Sequence, residues 1–340
     1  MLKRLVFLTL LILAFLVFSC TSQPEKITLI VAGGATGQEL ELTVASTQRF
    51  MAQNPNLRVG VRPIPTNLDE RLELYQQMLS RASDQIDVLQ IDVVWVGMLA
   101  NYGLDLNGLI PAEEIEKHFP SLIENNTVDG ELVAMPLFAD APSLFYRKDL
   151  LEKYGFSGPP KTWDELVEMS EAIALGERKD GNFGFWGYLW QGINDEALTC
   201  NAFEWQQSNG GGSFLDKEGN PHLASAESID AFTKAASWVG SISPEQVVEF
   251  GEEDSRLMWQ RGDAAFLRNW SYVFALAEQN RFMRERMGVA PLPAGPTGRS
   301  ATLGGWELMV SKFSGYPREA AALVRFMTSE AEQKIRAVEG

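Results

Sequence analysis

Ile27-Thr28-Leu29-Ile30-Val31-Ala32-Gly33-Gly34 opens the folded part of this chain and decides its class. A β-branched run ending on two glycines reads as a buried strand that empties into a tight loop. A helical pattern follows from about Leu40 to Gln53 and stops at Asn54-Pro55-Asn56. Leu57 to Val61 then reads as a second strand, Leu68 to Arg81 as a second helix and Ile86 to Ile91 as a third short apolar strand. Strand alternating with helix predicts an α/β architecture, a parallel sheet with helices on both faces. Ligands of such sheets lie beyond the carboxyl ends of the strands. The loops Gly33 to Glu39 and Asp92 to Trp95 are therefore the first places to look.

Farther along, Ala134-Met135-Pro136-Leu137-Phe138-Ala139-Asp140-Ala141-Pro142 has the look of a chain passing between lobes, and a helical pattern begins with Lys148. Thr162, with Glu165 three residues on, forms a capping box for a helix to about Leu175. Phe183 to Leu189, whose aromatics are spaced by glycines, and Gly210-Gly211-Gly212 read as loop. Helical periodicity returns over Ala226 to Val239 and Arg256 to Arg261. Pro291-Leu292-Pro293-Ala294-Gly295-Pro296 marks a second break, followed by Leu303-Gly304-Gly305-Trp306-Glu307-Leu308-Met309-Val310 and a helix from about Pro317 to Thr328. No internal repeat or low-complexity segment interrupts this pattern.

Upstream, Lys3 and Arg4 precede an apolar run from Leu5 to Phe18, then Ser19 and Cys20. A charged start, a short apolar core and a small residue at its end are what export machinery recognises, and the run is too short to span a bilayer comfortably. Val17-Phe18-Ser19-Cys20 resembles a bacterial lipobox, which implies cleavage before Cys20 and lipid on its thiol; the alternative is an ordinary secretory signal. Residues 1–19 are thus expected to be a signal peptide and residues 20–26 a polar tether.

Loss of Lys3 and Arg4 with the leader takes the net charge from −16 to about −18. So acidic a surface, with no basic stripe, argues against nucleic-acid binding. The only histidines, His118 and His222, lie far apart and lack a nearby ligand at metal spacing. No metal, cofactor or catalytic residue is therefore expected. With Cys20 lipidated, Cys200 has no disulfide partner and reads as a small buried residue.

Nine tryptophans are present, several beside carboxylates, amides or glycines: Asp92 near Trp95, Trp190-Gln191-Gly192, Asn269-Trp270 and Gly305-Trp306-Glu307. A pyranose has a C–H face that stacks on an aromatic plane and hydroxyls that need polar partners, so this mixture suggests a carbohydrate site. Any one of these tryptophans, taken singly, is more often core.

Asp92-Val93-Val94-Trp95, Tyr146-Arg147-Lys148-Asp149-Leu150, Pro160-Lys161-Thr162-Trp163-Asp164-Glu165-Leu166 and Leu303-Gly304-Gly305-Trp306 resemble the solute-binding proteins of carbohydrate ABC transporters. Leu189-Trp190-Gln191-Gly192 with Glu196 and Cys200, Glu204-Trp205 and Phe266-Leu267-Arg268-Asn269-Trp270 resemble the trehalose/maltose-binding branch of that family 1 group. The resemblance implies a two-lobed periplasmic-binding-protein fold of type II, maltose-binding-protein-like, with a hinge and an interlobe cleft. Lobe 1 would comprise residues 27–138 and 302–340, and lobe 2 residues 142–298. It also implies Glu39, Arg71, Asp92, Asp140, Trp270, Gly305 and Trp306 as substrate-binding residues: carboxylates accepting sugar hydroxyls, Arg71 donating, both tryptophans stacking.

Two departures stand out. Phe138 replaces a tyrosine of the family two residues before Asp140, and Asp195 replaces another before Glu196. The family also continues past the position of Gly340 with a helical segment that reaches the cleft, so a fragment or a shortened member is expected. The function implied is that of a lipid-anchored receptor facing the periplasm or cell exterior. It would capture a disaccharide or related glycoside (trehalose, maltose, sucrose or glucosylglycerol type) and pass it to permease subunits. A secreted carbohydrate-active hydrolase and a binding protein for a non-sugar solute are the alternatives.

Overall fold

A computed structural model describes residues 26–34, 38–65 and 67–339. The leader, Cys20 and most of the tether lie outside the described residues. In chain order the main elements begin with β1 (Ile27–Ala32), α1 (Glu39–Gln53), β2 (Leu57–Arg62), α2 (Leu68–Ser80), β3 (Val88–Asp92) and the crossing strand β4 (Met135–Asp140). They continue through β5 (Ser143–Arg147), α3 (Trp163–Lys179), β6 (Trp186–Leu189), α4 (Glu196–Ser208), α5 (Ala226–Trp238), α6 (Glu252–Gln260), β7 (Ala264–Asn269), α7 (Tyr272–Gln279) and β8 (Met287–Ala290). They close with β9 (Gly304–Val310), α8 (Pro317–Met327) and α9 (Glu330–Glu339).

Among the described residues two main sheets form, one per lobe, beside a small two-stranded one of Thr127–Val128 and Glu131–Leu132. The first is five-stranded, in the order β2-β1-β3-β9-β4, and the second four-stranded, β8-β5-β7-β6. β1 pairs with β2 and β3 in parallel, as expected. β9, which returns from the other lobe, runs antiparallel to both β3 and β4, so the sheet is mixed rather than parallel throughout. That return places Trp306 opposite Asp92 and Gly304 opposite Asp140, with an irregularity of register between Trp306 and Glu307. Residues far apart in sequence thus meet at one sheet end.

Both faces of the first sheet are covered, which is why its central strands are mostly apolar. Leu29, Val31, Val88, Leu308 and Val310 pack with Phe50 and helix α8 on one face; Leu89, Ile91 and Met309 pack with Tyr75, Leu79 and Trp95 on the other. The second lobe is built around an aromatic cluster of Trp163, Tyr188, Trp190, Trp205 and Trp238, in which Trp190 meets Trp205 edge-on at 5.0 Å. Trp95 and Trp190 are therefore core residues, 4% exposed each, and not the stacking surfaces that their neighbours in sequence suggested.

Two local expectations need correction. Trp186–Leu189 is a strand, not a loop, and pairs in parallel with β7. Its Gly187 allows close approach to α3, since a Cβ there would come within 2.3 Å of the Ser170 side chain. Helix α3 also runs to Lys179, past Leu175, closed on Thr162 Oγ1, which accepts the Glu165 N–H. Among the described residues no helix is long and apolar enough to cross a membrane.

Candidate functional site

The seven residues expected to bind substrate come from α1, α2, the ends of β3, β4 and β7, and the start of β9. Asp92 ends β3 and is 8% exposed. Its Oδ1 accepts the Val94 N–H at 3.0 Å and so caps the turn that follows. Burial pushes this carboxyl up to about 7, Glu196 adds to the rise, and the Val94 N–H and Arg71 oppose it.

Helix α2 begins at Asn67, whose side chain accepts the Glu70 N–H at 3.0 Å, and this start carries Arg71 inward. Arg71 is wholly buried; its Nε donates to the Pro65 carbonyl at 3.0 Å, whereas Nη1 and Nη2 have no partner. The guanidinium lies over Trp306, 4.2 Å from the ring centroid. Burial lowers its pKa, while Tyr75, Glu39 and Asp92 raise it. A buried cation with unused N–H groups calls for an acceptor, and a ligand oxygen is the natural one.

Glu39 starts α1, and its Oε2 accepts from Gln90 Nε2 at 3.3 Å. Gln90 Oε1 also accepts the Gly34 N–H at 2.8 Å, and Tyr75 donates to the Gln90 carbonyl at 3.0 Å. One glutamine side chain therefore ties the loop after β1 to β3, and a Cβ at Gly33 would sit 2.6 Å from that Oε1.

Asp140 ends β4, where its Oδ1 accepts from the Ala141 N–H at 2.9 Å and from the Ser271 N–H at 3.1 Å, a bond that reaches the second lobe. Burial raises its pKa, and the Ser271 hydrogen bonds oppose that rise. Trp270 follows β7 and lies against Gly304, where a Cβ would be 2.8 Å from the indole ring. Gly305 has φ +146°, and a Cβ there would sit 2.5 Å from the Phe138 carbonyl. These glycines let two tryptophans converge on the β9 start. Each has a guanidinium on one face: Arg71 on Trp306, and Arg268 on Trp270 at 4.5 Å.

From the second lobe two further carboxylates face this group, neither among the seven. Glu196 opens α4 and Glu252 opens α6; burial raises both, and both act on Asp92. Glu196 Oε1 also accepts from the Cys200 thiol at 3.2 Å. Asp195, in place of the family's tyrosine, caps α4 by accepting the Ala197 N–H at 2.8 Å. The sequence signal for both acids was an acidic residue at a helix start, a common pattern that by itself points to capping. No group of His, Cys, Asp and Glu among the described residues has a metal-binding arrangement.

A cavity of about 1080 Å³ lies elsewhere, between α1, β4, α8 and α9, and none of the seven residues lines it. Phe50, Phe119, Phe138 and Phe326 line it together with charged residues such as Glu114, Lys117 and Arg325. The lobe junction is the better candidate, because the buried Arg71 guanidinium has two nitrogens without a partner there.

Comparison with known proteins identifies the family and the fold. The family profile for bacterial extracellular solute-binding protein matches residues 35–334. A probable ABC transporter-binding protein of Deinococcus radiodurans is 44% identical over 324 residues, spanning 95% of this chain and 77% of the relative. Among solved structures, a maltose-bound MalE3 of T. maritima superposes with a TM-score of 0.86 at 37% identity, over 92% of this chain and 80% of that one. A solute-binding protein from Thermotoga lettingae bound with α-D-tagatose gives 0.81 at 23% identity, over 92% and 80%, and shares the fold.

Proposed function

This chain belongs to the bacterial extracellular solute-binding protein family, and from that premise we propose that it captures a disaccharide or related glycoside and delivers it to the permease of an ABC sugar importer. The observation that carries the proposal is the pair of guanidinium-backed tryptophans, Trp306 and Trp270, at the junction of the lobes, beside Asp92 and the unpartnered nitrogens of Arg71. Aromatic planes beside charged donors and acceptors suit a ligand with both C–H faces and hydroxyls. The 37% identity to a protein solved with maltose supports the trehalose, maltose, sucrose or glucosylglycerol class.

In this reading Asp92, Asp140 and Glu39 accept sugar hydroxyls, Arg71 donates, and Trp270 and Trp306 stack. Gly305 leaves room for the close approach of strands. A ligand touching both lobes favours the closed arrangement, which the permease recognises. Cys20 carries the lipid anchor, the lobes divide at residues 27–138 with 302–340 and 142–298, and the protein faces the periplasm or exterior. It acts as a receptor and not as an enzyme. Glu307, which neighbours Asp92, is fully buried and accepts from the Asn126 amide at 2.6 Å, so it is badly placed to serve as the second acid of a hydrolase.

Isothermal titration of signal-free protein with trehalose, maltose, sucrose and glucosylglycerol tests the proposal, with Trp270→Ala as control. Micromolar binding that weakens in the variant but remains measurable is expected. Silence toward every sugar from folded protein would overturn it, and release of glucose on prolonged incubation would favour the hydrolase.

A further inference from the structure

Beneath Trp270 lies a closed polar network that the proposed sugar contacts do not use. Arg268 and Glu204 are both wholly buried, joined by Nε to Oε2 at 3.1 Å and Nη2 to Oε1 at 2.5 Å. Arg268 Nη1 donates to Gln191 Oε1 at 3.1 Å, and Gln191 Nε2 donates to Ser255 Oγ and to the Arg268 carbonyl, each at 2.8 Å. Trp270 comes directly after β7, and the Arg268 guanidinium lies 4.5 Å from its ring centroid. Glu204 Oε1 also accepts the Thr302 N–H at 3.3 Å, and Thr302 Oγ1 donates to the Cys200 carbonyl at 3.2 Å. Thr302 belongs to the segment that crosses back to β9, two residues before the glycine on which Trp270 rests.

A fully buried ion pair is a poor source of stability compared with apolar packing, so its presence invites a functional account. We propose that Arg268 is a positioning residue: through its face on the indole it fixes the plane of Trp270, and through Glu204 it locks that plane to the returning crossing at Thr302. The stacking surface and the interlobe crossing then move as one unit. The proposal rests on the reading of Trp270 as a sugar-stacking ring.

The test is a double-mutant cycle with Arg268→Lys and Trp270→Ala, titrated with maltose and trehalose. Lysine keeps the charge but loses the planar fork and the stacked face, so Arg268→Lys should weaken binding about 10-fold. That loss should vanish in the Trp270→Ala background, because the two residues act through one contact. An equal loss in both backgrounds, or none in either, overturns the proposal.

A second readout needs no sugar. The Trp270 emission, taken as the difference between spectra with and without Trp270→Phe, should change in Arg268→Lys, and an unchanged difference spectrum also overturns the proposal. Wild-type silence toward every sugar would instead overturn the functional reading alone, leaving the emission experiment to decide this one. If Arg268→Lys fails to fold, the paired change Arg268→Met with Glu204→Leu removes both charges together and carries the same cycle and spectrum.

Discussion

Arg71 sits over the Trp306 ring with its guanidinium carbon 4.2 Å from the centroid, yet two of its three guanidinium nitrogens have no hydrogen-bond partner. The ring compensates part of the cost of burying the cation, and the unused donors are the remainder. Arg71→Met should therefore leave the ligand-free protein as stable or more stable, by about 1 kcal/mol. The same change should weaken sugar binding about 10- to 100-fold. Thermal unfolding and titration on one preparation check both signs, and a variant that loses stability while keeping affinity would contradict them.

Trp306→Ala removes a half-buried plane that also packs edge-on against Trp95 at 5.9 Å. Affinity should fall at least about 100-fold and stability by about 3 kcal/mol, the usual cost of truncating a packed aromatic. Trp270→Ala should lower affinity with a smaller loss of stability, and denaturant unfolding of the two variants side by side separates their roles.

Burial pushes Glu307 up to about 7; the Asn126 amide opposes that rise and Asp92 adds to it. Asp92, also raised to about 7, sits beside it. In both cases the folded state binds the proton more tightly than the unfolded chain does. The stabilisation is complete below the ordinary carboxylate range near 4 and is lost as pH rises through about 7. Ligand-free protein should accordingly be less stable at pH 8 than at pH 5.5. Glu307→Gln retains an acceptor for Asn126 and removes one titration, so it should flatten this slope and gain about 1–3 kcal/mol at pH 8. Urea unfolding across that range decides; an unchanged slope in the variant would count against the assignment.

Gly305→Ala meets two obstacles, a φ of +146° and the Phe138 carbonyl 2.5 Å from the new Cβ. A loss of about 2 kcal/mol or more is expected, together with weaker binding, because the β9 start must shift away from β4. Gly97→Ala, where a Cβ meets nothing within 4 Å, serves as the control and should be nearly neutral.

The sequence alone determined the β-α-β-α-β start, because hydrophobic runs of strand length alternate there with helical periodicity and Asn54-Pro55-Asn56 ends the first helix. It also singled out Asp92, Trp270, Gly305 and Trp306, since polar groups beside aromatics at the ends of apolar runs are local patterns. Only the tertiary structure decided which tryptophans are core: Trp95 and Trp190 have neighbours much like those of Trp306, but side chains remote in sequence close over them. β6 escaped detection because its glycine is explained by Ser170 on a helix packed across it, a contact with no local signature. The direction of β9 was likewise hidden, since strand pairing depends on where the chain re-enters the sheet. The effect of Glu196 and Glu252 on Asp92 became visible only with the two lobes face to face, and the Arg268–Glu204 pair only with α4 packed on β7, because electrostatics depend on distances between segments that sequence order does not encode.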